Sequence, residues 1–155
     1  MHSFPLRIPL SYSSRSQKAR PRIRQMKDIR FLTKEYVLYF HRQLLSEYGG
    51  RPGLRDEGLL ESALAQAEIT IDAEHLHRDI FEMAAAYGYH ICQNHAFIDG
   101  NKRLALVAMD TFLQMNGGEL IADEKDTFVT IMRLAAGELN KPQLSQWIRE
   151  HAQTK

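Results

Sequence analysis

The chain has 155 residues, close to the commonest size of a single domain, with 44% hydrophobic and 25% charged residues. That balance excludes a disordered, collagenous or disulfide-built chain and points to one soluble domain with a core of its own. The single cysteine, Cys92, has no partner for an intrachain bridge. No run approaches the roughly 18 consecutive apolar residues of a membrane span, so a reducing, cytoplasmic setting without a membrane partner is expected.

The net charge of +1 averages two unlike parts. Residues 1–27 carry Arg7, Arg15, Lys18, Arg20, Arg22, Arg24 and Lys27 and no acid, a charge of +7, which leaves 13 basic and 19 acidic residues, or −6, over residues 28–155. The first stretch is also rich in serine and broken by Pro5, Pro9 and Pro21, and reads as a basic, disordered arm. It has neither the apolar core nor the cleavage site of a secretory signal. Such an arm offers nucleic acid a phosphate-binding surface and is the one route to that partner. The plainer expectation is an extension upstream of a domain that starts near Met26 and fills residues 28–155.

From residue 28 onward the hydrophobic period is helical throughout. Thr33 caps a first predicted helix with Val37, Leu38, Phe40, Leu44, Leu45 and Tyr48 inward, stopped by Gly49 and Gly50. After the turn at Arg51-Pro52-Gly53, Asp56 caps a second helix carrying Leu59, Leu60, Ala63, Leu64 and Ala67. Residues 68–77 lose the period and suit a loop or short hairpin. A third helix over roughly 78–94 and a fourth over roughly 101–116 are apolar enough to be central. Asp123 caps a fifth, closed by Gly137, and Pro142, suited to a first helical position, opens a sixth through about Ala152. The expected fold is all-α, a compact bundle of about six helices.

The chemistry is concentrated between the third and fourth helices, in His95-Ala96-Phe97-Ile98-Asp99-Gly100-Asn101-Lys102-Arg103. A loop ending at a helix N-terminus presents free amides and the positive end of the helix dipole, a setting for phosphate. Gly100 lets the backbone approach an anion, and Asn101, Lys102 and Arg103 add donors and charge. Asp99 suits Mg2+, which takes one or two carboxylates and completes its shell with water and substrate phosphates. His95 can accept a hydroxyl proton at neutral pH. Phe97 faces the other way and anchors the loop. Taken singly, each residue has an ordinary structural use, since Asp-Gly is a common turn and Asn a common cap; the set in this order carries the inference.

The string resembles the signature of the Fic/Doc superfamily, H-x-F-x-D/E-G-N-G-R-x-x-R, and within it the Doc (death on curing) branch of toxin–antitoxin toxins. Lys102 in place of the second glycine and Leu106 in place of the final arginine both match the Doc form. His41, Gly49-Gly50, Gly53, Arg55-Asp56, Gly58 to Leu64, Phe112-Leu113 and Asn116-Gly117 are similar to the family's scaffold, so the resemblance spans about residues 28–150. It implies a kinase-like enzyme that transfers the γ-phosphate of ATP to a hydroxyl of elongation factor Tu and arrests translation, restrained by an antitoxin. It also implies that His95 is the base, Asp99 the Mg2+ ligand, and Gly100, Asn101, Lys102 and Arg103 the phosphate binders. A target segment would lie in extended form along a flap in residues 66–77. Two further readings stay open: transfer of AMP, because the loop does not say which way ATP lies, and an inactive module that binds a nucleotide or partner without turnover.

Four other features have a structural and a functional reading. His90, Cys92 and His95, and likewise His75 and His77, have metal-like spacings without an evident fourth ligand. Asp56 is expected to cap its helix with Arg55 as a salt-linked neighbour rather than to act in catalysis. The self-inhibitory pattern of some Fic enzymes, Ser/Thr-x-x-x-Glu followed by Gly or Asn, has its nearest match at Thr70 and Glu74, where His75 follows and breaks it. Control in trans is then expected.

Overall fold

The computed structural model describes residues 26–154, so nearly all of the basic arm lies outside it. After a 3-10 turn at Met26–Asp28, helix α1 runs Lys34–Tyr48 and α2 runs Glu57–Ala65, followed by a second 3-10 turn at Gln66–Glu68. Strands β1 (Thr70–Ile71) and β2 (Glu74–His75) pair antiparallel as a hairpin, with Asp72 and Ala73 at positive φ in its turn. Helices α3 (Ile80–Asn94) and α4 (Asn101–Met115) follow. Then come β3 (Gly118–Leu120), α5 (Glu124–Ala135), α6 (Lys141–Glu150) and β4 (Ala152–Thr154). The fold is mostly helical.

Its boundaries follow local chemistry. Thr33, Asp56, Asp79 and Asp123 each accept the amide three residues on, satisfying one of the donors a helix start leaves over. Asn140 and Gln143 form a reciprocal capping box on α6. Pro142 is thus the second helical residue rather than the first, and α6 stops at Glu150 because the chain then turns into β4.

The core centres on α3 and α4. In α4 every residue from Leu104 to Met115 is buried, and in α3 a run from Met83 to Gly88 is. At Gly88 the Met109 side chain of α4 packs onto the α3 backbone, and a Cβ there would overlap it. Aromatic packing of Tyr87 and Phe31 on Phe112 extends the core toward the N-terminal segment. That segment is tied down by polar contacts: the Leu32 amide donates to the Tyr87 hydroxyl, and Asn116 brackets both the amide and the carbonyl of Arg30. Lys34 bridges Glu57 and Glu61, joining α1 to α2.

Periodicity did not foretell β3 and β4. They pair antiparallel from Gly118 with Thr154 to Leu120 with Ala152, and the buried Asp110 carboxylate accepts the Leu120 amide. The hairpin at 70–75 falls in the stretch before the third helix where a loop or short hairpin, and a flap, were expected. It precedes the N-terminus of α3, whereas the motif follows the C-terminus of this 15-residue helix, about 22 Å away. Its own contacts run to the N-terminal segment, His75 Nε2 to the Met26 carbonyl and the His75 ring to Phe31.

Candidate active site

The loop between α3 and α4 begins with an unusual backbone. His95 ends α3 in the left-handed region, φ 50° and ψ 48°, a conformation uncommon outside glycine, although Asn, Asp and His take it more often than other residues. Arg55 holds it there: its guanidinium donates through Nε and Nη2 to the His95 carbonyl, and Nη2 also reaches the Asn94 carbonyl. A cation on the last carbonyls of a helix offsets the negative end of its dipole. The expected salt link from Arg55 to Asp56 gives way to this use. Asp56 does cap α2.

The rest of the segment before α2 pairs with the loop like a short strand. The Arg55 and Asp56 amides both donate to the Ala96 carbonyl, Leu54 bridges Phe97, and the Ile98 amide donates to the Gly53 carbonyl. Gly53 has φ 128° and passes so close to Ile98 that a Cβ would meet its Cδ1 at 2.7 Å. Phe97 is buried, with the His41 ring stacked on it at 3.8 Å between centroids. His41 Nε2 lies 2.8 Å from the Asp99 carbonyl. Burial pushes the His41 pKa down, so the ring is neutral and its Nε2–H donates. The sequence placed His41 and Arg55 only in the scaffold that the resemblance covers, and their contacts with the loop were not foreseen because the partners lie 58 and 40 positions away.

Asp99 faces solvent with its carboxylate held from both sides. The Arg51 amide donates to Oδ2 at 3.0 Å and the Gly100 amide to Oδ1 at 2.9 Å. These two amides, Arg51 first, hold its pKa below the ordinary carboxylate range. The stabilisation this gives the loop is present above the ordinary value of about 3.9 and is lost as the pH falls through the lower folded value. Carboxyl NMR across an acid titration should therefore place Asp99 below that ordinary value, and a normal or raised value would refute the double anchoring.

Gly100 adopts φ 83° at the start of α4. Its amide serves Asp99, so its gift to an anion is the left-handed turn and not a free donor. Asn101 is turned inward, accepting the Phe97 amide through Oδ1 and donating to the Phe97 carbonyl through Nδ2. Its side chain braces the loop, a departure from the expected phosphate ligand. The start of α4 nevertheless has no side-chain cap and no acid in its first turn. Lys102 is exposed there, and the Arg103 guanidinium lies over the Tyr48 ring, 4.6 Å from its centroid.

His95, Asp99, Gly100, Asn101, Lys102 and Arg103 share the wall of one open groove of about 470 Å³, and Phe97 lies beneath it. The opposite wall is Phe128 and Met132 of α5, two apolar side chains one helical turn apart and each over a third exposed. An imidazole, a carboxylate, an uncapped cationic helix start and an apolar wall therefore meet in one space. The other histidines are engaged elsewhere: His77 Nε2 contacts the Gln66 carbonyl and His90 Nε2 contacts Lys141. Among the described residues no three His, Cys, Asp or Glu side chains gather as metal ligands. Asp99 alone suits an ion such as Mg2+ that arrives with substrate phosphates, since each of its oxygens keeps lone pairs beyond the amide it accepts.

Comparison with known proteins finds relatives of the chain. Protein kinase doc of Escherichia phage P1 is 29% identical over 121 residues, covering 78% of this chain and 94% of that protein. Toxin Doc of Mycolicibacterium smegmatis is 41% identical over 76 residues, 49% of this chain, and the match spans 58% of that relative's length. The model of the Fic/DOC family matches residues 31–113. That span takes in His41, the segment from Gly49 to Asp56, the whole loop and nearly all of α4, and by this match over more than half its length the chain belongs to the Fic/DOC family.

Proposed function

We propose that this protein is a Doc-type toxin that transfers the γ-phosphate of ATP to a hydroxyl of a target protein. The observation that carries the reading is the composition of the groove. The uncapped start of α4 with Lys102 and Arg103 suits a polyphosphate. Phe128 and Met132 on the same groove suit a nucleobase, and His95 is an exposed member of its wall. The imidazole of His95 takes the proton of the target hydroxyl as its oxygen bonds to the γ-phosphorus, and the bond from that phosphorus to the β–γ bridging oxygen breaks, releasing ADP. Phosphoryl transfer needs mostly positioning and charge neutralisation, which a compact loop can provide. Asp99 would hold Mg2+ jointly with the phosphates, where the ion neutralises charge on the transferring group.

Lys102 decides the orientation of ATP. A glycine at this position leaves room for the α- and β-phosphates at the helix start, as AMP transfer needs, whereas the Lys102 side chain fills that room with a point charge. Incubation with a cell lysate and ATP labelled at either phosphate tests this. Label from the γ- but not the α-phosphate should appear in a protein of the size of elongation factor Tu. Lys102→Gly should abolish that signal. Label from the α-phosphate alone would replace kinase by adenylyltransferase activity, and no transfer of either label would leave only a binding module.

Restraint comes from an antitoxin. The nearest self-inhibitory match, Thr70 and Glu74, lies on β1 and β2, not on a helix, at the far end of α3 from His95. The groove carries Ile98, Phe128 and Met132, all over a third exposed, a surface that a partner segment folding onto it would cover.

A further inference from the structure

A second cavity, of about 310 Å³, lies between the N-terminal part of α3 and α6, with Arg78, Glu82, Ala85, Lys141, Ser145 and Arg149 on its walls. Its charges pair off with one exception. Arg78 bonds Glu82 at 2.7 Å, and Arg149 bonds Asp79 at 2.8 Å. Lys141 is half-buried, and its partners are the Nε2 of His90 at 2.9 Å and the face of Tyr89, 6.0 Å from the ring centroid. Neither offers a negative charge. Burial and then the Lys141 ammonium push His90 down to about 4, so it accepts from Lys141 as a neutral ring. Among the described residues Lys141 thus has no carboxylate, although a partly buried cation without a counter-charge is costly.

We propose that this cavity is a binding site for a single carboxylate, with Lys141 as its counter-charge. Charge balance selects the class. Two ion pairs are already closed, one positive charge is left, and a monoanion neutralises it where a phosphate dianion would overshoot. Ala85 and Pro142 give the body of such a ligand an apolar wall. The carboxylate belongs either to a free acid or to an acidic side chain of a partner polypeptide, and the two are separable by experiment.

The full chain is titrated with acetate, with N-acetylglutamate amide as a side-chain surrogate, and with inorganic phosphate, following the imidazole signals of His90 and His95 by NMR. A saturable shift of His90 with acetate or the surrogate, at least tenfold weaker in Lys141→Gln and unchanged in Lys102→Ala, is the expected result. Tighter binding of the surrogate would identify a partner's side chain, and tighter binding of acetate a free acid. Phosphate should move His95 and leave His90 in place. Absence of a saturable His90 shift with either carboxylate in the wild type refutes the proposal without any variant, and a shift that persists in folded Lys141→Gln refutes it as well.

Discussion

His95→Ala should lower the rate of transfer roughly a hundred- to ten-thousand-fold, the usual contribution of a positioned general base. The side chain is exposed, so its removal opens no cavity. The backbone, however, stays in the left-handed region, where alanine is strained by about 1 kcal/mol, so a small fall in Tm is expected as well. His95→Asn separates the two effects, because asparagine tolerates this conformation and cannot act as the base. Both variants should be equally inactive, with Asn the more stable. Full activity of His95→Asn would show that the proton leaves by another route and would remove His95 from the mechanism.

The second large effect is expected at Asn101, for a different reason. Its amide satisfies the buried amide and carbonyl of Phe97 together, and truncation to alanine leaves both without partners. An orphaned buried group costs about 1–3 kcal/mol, so Asn101→Ala should lose about 3 kcal/mol, or roughly 10 °C in Tm for a chain of this size. Activity should fall too, because Phe97 carries the loop on which Asp99 is mounted. Asn101→Asp keeps the acceptor for the Phe97 amide and loses the donor to its carbonyl, and should fall between. A weaker affinity for ATP with Tm unchanged would mean that the side chain serves phosphate and not the loop.

The parts of this molecule visible in a linear reading are those set by neighbours a few residues apart. Thr33, Asp56 and Asp123 act on amides three positions on, and the apolar period of α3 and α4 repeats within each turn. The nine-residue loop was legible for the same reason, since its order is local. The brace beneath it was not, because His41 and Arg55 meet the loop only after α1, α2 and α3 have packed. The β3–β4 sheet escaped because each strand is three residues long and its partner lies more than 30 positions away. Phe128 and Met132 gave no sign of a binding role, for an apolar pair one turn apart on α5 reads as core until its exposure is seen.

One consequence of the brace concerns how this protein would be lost in evolution. Gly50 and Gly53 sit at φ 124° and 128°, and a side chain at Gly50 would press on Leu45 and Asp99, while one at Gly53 would press on Ile98. Because the site depends on a second stretch some 40 residues upstream, the set of single changes that disarm it is larger than the motif. Among cells selected to survive its expression, escape mutations should fall at Gly50, Gly53 and Arg55 as well as at His95 and Asp99. Screening genomes for an intact motif would then overcount working copies: genes decayed only in the upstream stretch would pass as sound.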